Sequence, residues 1–319
     1  MHFRSESVGA YRGRMARSGI GGATAVVGGA VSVQVGAAIG ATIFPLVGPA
    51  GVVALRQAVA AIALLAVSRP RRRDLTWRTV RPAVLLGGVL VVMNVAVYAA
   101  IERIGLGPAV TLEFLGPLAV TLIGSHRRID LVAALLAAGG VALLTGSVPG
   151  MDPLGIAFAL TAAGAWAAYI LLSQRAGRTL PGVQGTAIAS TVAAVLTSPI
   201  LIIALLGLEP GAIALVLGVG AVAGLLSSAL PYSIDLMVLR RMPRQRFGVL
   251  QSVHPAAAAL AGLVVLGQAL APWQVVGLAL VTAANVLAVG VGAASERRAG
   301  RSRRVRDANR PSGAPAAAS

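Results

Sequence analysis

The sequence predicts an all-α integral membrane protein of ten transmembrane helices, arranged as two inverted five-helix repeats. Three observations lead there. Apolar segments near the roughly 20 residues a bilayer core needs recur along the chain. The arginines between them gather on alternate connections, and one stretch of the first half aligns without gaps onto one of the second.

Composition sets the class. At 57% hydrophobic and 12% charged residues, with mean hydropathy +0.84, the chain is far too apolar for a soluble domain, where about 25% of residues are charged. A net charge of +17 would suggest a nucleic-acid partner in a soluble protein. Here the basic residues, all arginine, sit in short clusters between apolar runs with few aromatics among them. That pattern orients a membrane protein, so membrane lipid is the expected surrounding and nucleic acid is not an expected partner. The chain has no cysteine, and its histidines (His2, His126 and His254) are too scattered for a zinc-binding helix. No metal or cofactor is expected.

Taken in order, residues 1–19 form an Arg-rich N-terminal stretch. The apolar run that follows, from Ile20 to about Phe44, exceeds the roughly 7–15 residues of a signal-peptide core and reads as an uncleaved first span. The ten segments are about 20–44, 49–67, 82–101, 105–124, 130–147, 153–173, 184–207, 212–238, 247–268 and 272–294. Residues 20–147 make the first five-helix repeat and 153–294 the second; 295–319 is a basic tail expected to be disordered.

Orientation follows from charge. One set of connections holds the N-terminus, Arg69 to Arg81, Arg127 and Arg128, Arg175 and Arg178, Arg240 to Arg246 and the tail from Arg297. The alternate set holds Glu102, Arg103, Asp152 and Glu209 and is net acidic. The positive-inside rule places both termini in the cytoplasm of a plasma (inner) membrane protein with an even number of spans.

The repeat is carried by Met93–Thr121, which aligns onto Pro231–Ala259 with Arg103 on Arg241, Leu112 on Leu250, Pro117 on Pro255 and Ala119 on Ala257. Five spans repeated in one chain must enter the bilayer from opposite sides. Inverted repeats around a midplane site characterise secondary transporters. The pairs Gly36/Gly40 and Gly220/Gly224 have the G-x-x-x-G spacing that lets helices approach closely in lipid.

Within the fourth span Glu113 stands four residues ahead of Pro117. Proline has no N–H, so it leaves the Glu113 carbonyl without its helical donor. A carboxylate and a freed acceptor then share one turn. In the ninth span Gln251 precedes Pro255 by the same spacing, with His254 between them.

Span 4 with its flanks, Ala100 to Arg128 (A-I-E-R-I-G-L-G-P-A-V-T-L-E-F-L-G-P-L-A-V-T-L-I-G-S-H-R-R), resembles the homoserine/threonine exporters, an EamA-type branch of the drug/metabolite transporter superfamily. The ten-span, five-plus-five plan resembles that superfamily over roughly residues 20–294. The resemblance implies export of small amino acids across the plasma membrane, driven by an ion gradient.

Several side chains are candidates for substrate binding or coupling. Glu113 is an expensive charge near a bilayer centre, such residues usually face a cavity or a partner, and it suits a group that loads and releases a proton. Arg56, well inside span 2, could meet a substrate carboxylate, neutralise Glu113 or snorkel outward. Asn94 and Tyr98 share one face of span 3; Ser228, Tyr232 and Asp235 share one face of span 8, where Pro231 breaks the backbone ladder. Trp166 and Tyr169 stand three apart on span 6, and Gln34 lies in mid-span 1. Gln251 and His254 occupy the broken turn of span 9, where histidine could relay protons. For each group, interhelical hydrogen bonding is the structural alternative.

The function expected is a secondary transporter exporting threonine- or homoserine-like amino acids, with protons as the coupling ion and alternating access as the mechanism. A broad drug or metabolite exporter is the alternative within the class, although 4% aromatic content is low for binding cations on aromatic faces. An intramembrane enzyme is the alternative outside it. The chain has no lysine, G-x-S-x-G or His-Glu-x-x-His, and Ser252 lies two residues from His254, a spacing that does not face on a helix.

Overall fold

The computed structural model describes residues 24–68, 76–123, 128–146, 152–180, 183–231, 234 and 250–288, and every regular element among them is helical. The helices are α1 (Thr24–Ala41), α2 (Phe44–Ser68), α3 (Trp77–Ile104), α4 (Leu106–Glu113), α5 (Leu115–Leu122), α6 (Arg128–Gly146), α7 (Pro153–Thr179), α8 (Gln184–Leu206), α9 (Pro210–Gly224), α10 (His254–Leu266) and α11 (Pro272–Ala288). A π-helical turn, Leu225–Ala229, continues α9.

Six helical stretches are long and apolar enough to cross a membrane: α1, α2, α3, Pro153–Gly177 within α7, α8, and α9 with its π turn to Ala229. Leu106–Val120, α10 and α11 are shorter apolar helices. Large apolar side chains cover the outside, with Ile203 at 71% and Leu206 at 81% exposure on α8. Such an exterior suits lipid and would be a liability in water.

Local chemistry sets the element ends. Gly48 adopts φ 68°, a left-handed conformation that glycine takes without steric cost, and Pro49 follows it, so regular α2 begins where span 2 was expected. Thr76 and Thr79 cap α3 reciprocally, and Asp152 caps α7 through Leu154 N–H. Arg103 Nη1 donates to Asp152 Oδ2 at 2.6 Å, tying the end of α3 to the start of α7. That bond, and then the Leu154 N–H, hold the exposed Asp152 carboxyl below its ordinary range.

Small residues govern the packing. A Cβ on Gly36 would lie 2.8 Å from Leu226 Cβ, and one on Gly40 2.9 Å from Val52. One on Gly220 would meet Leu55 at 2.8 Å, and one on Gly224 Val59 at 2.7 Å. Both expected G-x-x-x-G pairs therefore sit at close helix contacts, which join α9 and its π turn to α1 and α2. Gly140 on α6 and Gly277 on α11 make a similar approach. The main core joins α1–α4, α7, α9 and α10 around Tyr98, Leu106, Leu112 and Val216.

Candidate functional site

Two interrupted helices meet in this core. The first runs from Leu106, stops at Glu113, turns at Phe114 and resumes at Leu115. Pro117 explains the stop, because the Glu113 carbonyl has no N–H four residues on. The second is helical at Leu250 and Gln251, turns through Ser252 and Val253, and resumes at His254 ahead of Pro255. The breaks face each other, with the Phe114 and His254 rings 5.4 Å apart between centroids. Trp166 on α7 closes the cluster, edge-on to Phe114 at 4.6 Å and 6.5 Å from His254.

His254 is held at both ring nitrogens. Gln34 on α1 offers Nε2 to His254 Nδ1 at 3.0 Å, and Gln251 Oε1 lies 2.9 Å from Nε2. An amide nitrogen only donates, so Nδ1 accepts and Nε2 carries the hydrogen. The imidazole is thereby a neutral, oriented link between two amides. Gln34 Oε1 is left buried with no partner.

Glu113 presents the opposite situation. It is 8% exposed, and among the described residues its carboxylate makes no hydrogen bond and no ion pair within 4.0 Å. It lies within electrostatic range of Arg56 and Tyr98 without touching the guanidinium.

Arg56 does not snorkel. It is buried at 6% exposure, with its guanidinium over the Tyr98 ring at 4.8 Å. Nη2 donates to the Ser227 carbonyl at 3.5 Å and to Ser228 Oγ at 3.3 Å. The backbone acceptor has a local cause. Pro231 cannot donate to the carbonyl four residues back, which belongs to Ser227, so Arg56 finds it available. The same device operates in α8, where Ser198 Oγ donates to the Val195 carbonyl that Pro199 leaves free.

The expected site residues therefore fall into groups. Gln34, Gln251, His254 and Trp166 assemble at the crossing of the two breaks; Arg56, Tyr98 and Ser228 form a second group, with Arg56 and Tyr98 in electrostatic range of Glu113. Asn94 is buried on α3 and donates to its own Leu90 carbonyl at 2.8 Å. Tyr169 parts from Trp166 and packs against the smaller core of Ala83, Leu86 and Leu90. Tyr232 and Asp235 lie outside the described residues. Phe114 was not singled out by the sequence, since an aromatic in an apolar run carries no signal until its neighbours are known. Ser227 was missed too, although Pro231 four residues on points to it.

Broken helices facing one another inside a bundle with an apolar exterior are the build of a membrane solute transporter. The model of the EamA-like transporter family matches residues 153–290. Over 262 residues the chain is 39% identical to the threonine/homoserine exporter RhtA of Escherichia coli (strain K12), covering 80% of this chain and 86% of that protein. It is 38% identical over the same length to the RhtA of Salmonella typhimurium (strain LT2). A crystal structure at 20% identity superposes with a TM-score of 0.55, covering 83% of this chain and 96% of that one, and bears on the fold alone. The chain belongs to the EamA-like transporter family. It is a membrane transporter and not an enzyme.

Proposed function

We propose that the protein exports threonine, homoserine and similar small amino acids from the cytoplasm by proton antiport. The observation that carries the reading is Glu113, a buried carboxylate without a protein partner at the break of one helix, facing the break of another. The named activity of the RhtA relatives supplies the substrate class.

In this reading ten spans form two inverted repeats, 20–147 and 153–294, with both termini cytoplasmic. The arginine pattern and the matching breaks at Pro117 and Pro255 support it. The interrupted helices rock about the Phe114–His254 crossing in alternating access. Glu113 binds substrate when ionised and releases it when a proton arrives from the other side. Gln34, His254 and Gln251 position the second break, while Arg56, Tyr98, Trp166 and Ser228 stand around the path of the substrate. One proton enters for each zwitterion that leaves.

The test is amino-acid efflux from cells loaded with threonine- or homoserine-containing dipeptides, comparing the native protein, Glu113→Gln and an empty vector. Faster efflux by the native protein, abolished in Glu113→Gln, is expected. Efflux equal to the empty vector, with the protein shown in the membrane, would remove the substrate assignment. A Glu113→Gln variant that exports at the native rate would remove the coupling role.

A further inference from the structure

Arg56 and Glu113 pose one electrostatic problem between them. Each is a charge inside an apolar bundle, where ionised groups are expensive and normally paired. A direct ion pair would answer both, since leaving a buried charge uncompensated is the costly arrangement. The structure keeps them apart, within electrostatic range yet with no contact inside 4.0 Å.

What surrounds Arg56 does not replace a counter-ion. Its two Nη2 bonds, at 3.5 and 3.3 Å, are long and go to a neutral carbonyl and a neutral hydroxyl. Charge-assisted bonds to an oxyanion are shorter, about 2.7–2.9 Å. A guanidinium has five N–H donors, and the Nε of Arg56 has no acceptor at all. The Tyr98 hydroxyl lies close to Arg56 and Ser227, yet makes no hydrogen bond of good geometry with either. Unused donors thus converge next to an unneutralised cation, and an acceptor-only carboxylate stands apart from them. A molecule carrying an anion at one end and an ammonium at the other satisfies both.

We infer that Arg56 and Glu113 are the two poles of a receptor for the α-amino-acid zwitterion. Arg56 and the Tyr98 hydroxyl take the α-carboxylate, and Glu113 takes the α-ammonium. The fork of a guanidinium matches a carboxylate bidentately, which makes Arg56 a specificity residue that lysine replaces poorly. This rests on the exporter reading and adds that recognition is of the amino-acid head, with the side chain of the substrate read by neither pole. Compounds lacking either charge are excluded because they leave one buried pole unpaired.

The experiment uses the full-length protein in liposomes preloaded with radiolabelled threonine, in counterflow against external competitors. The competitors are threonine, threonine amide (no carboxylate) and N-acetylthreonine (no ammonium), with the other amino acids as a second panel. The native protein is expected to favour threonine over both analogues by at least about tenfold. Arg56→Gln should erase the preference over the amide while keeping that over the N-acetyl compound. Arg56→Lys should keep part of the preference, and so serves if the glutamine variant does not fold. Equal competition by threonine and its amide in the native protein would overturn the inference without any variant. So would an Arg56→Gln protein that is slower for every compound but equally selective, the mark of a packing role. If threonine is inert but another amino acid competes and its amide does not, the receptor stands and the threonine assignment falls. If no amino acid competes, both fall.

Discussion

The two interrupted helices use one backbone device for different ends. Pro117 and Pro255 each stop a helix near the residue four places ahead, and the breaks meet at Phe114 and His254. In the first, the side chain at that position is a carboxylate with no partner. In the second it is Gln251, engaged with His254, which in turn engages Gln34 on α1. One break holds an unanswered charge and the other a chain of hydrogen bonds running from Gln251 through His254 to Gln34. Similar backbone breaks thus leave one turn free to exchange partners and the other held in place.

The largest expected effect comes from making the first break resemble the second. Glu113→Gln should reduce efflux by about 100-fold or more, the scale of removing a group that handles a proton directly. Its folded stability should not fall, because an uncompensated charge is being removed. Efflux assays paired with thermal unfolding in detergent check both halves, and a destabilised variant would mean that Glu113 has a structural partner.

Next is the residue that aligns with His254 in the first break, Gly116. A Cβ there would collide with the Ala163 backbone on α7. Gly116→Ala should cost about 1–3 kcal/mol, the usual range for overpacking. Gly164→Ala, one residue beyond Ala163 and facing open space, should cost nothing measurable. Denaturant unfolding of the two variants separates a packed approach from a generic loss of glycine.

A smaller effect is expected from breaking that chain of hydrogen bonds. Gln34→Leu removes the donor to Nδ1 and should lower stability by about 0.6–2 kcal/mol, as interhelical hydrogen bonds in bilayers do. Efflux should slow severalfold without being abolished. Complete loss would place the second break in the coupling chemistry and dissolve the contrast.

The smallest lies outside both breaks. Arg103 and the Leu154 N–H lower the Asp152 pKa, so their stabilisation is present above the unfolded-state value and is lost as pH falls through the folded one. Native and Asp152→Asn proteins should differ slightly from pH 5 to 8 and converge in more acid solution. Melting curves across that range check the sign.

The all-helical class and the two breaks were legible in the sequence because their causes are local; of the ten expected spans, six stretches among the described residues are long and apolar enough to cross a membrane. Apolar run length gave α8 within a residue, and Pro117 forecast the stop at Glu113. Partners were not legible. Gln34 and His254 stand 220 positions apart, and Arg56 and Ser228 172, distances over which no residue pattern specifies contact. Trp166 and Tyr169 illustrate the limit: three apart on one helix, they turn to different cores, and spacing alone could not separate them. The π turn was equally hidden, since Leu225–Ala229 reads as ordinary helix until the backbone is traced.

That turn has a consequence for the chain's ancestry. A π turn accommodates one residue more than the α-helical turn it replaces and often records a single-residue insertion. It ends at Ala229, and the gapless match of the second half to the first begins at Pro231. Extending that match toward the N-terminus would then require a gap of one in the first half. Within the wider turn the Ser227 carbonyl and the Ser228 hydroxyl both reach Arg56. Deleting one residue there should restore an α-helical turn and carry both groups away from Arg56.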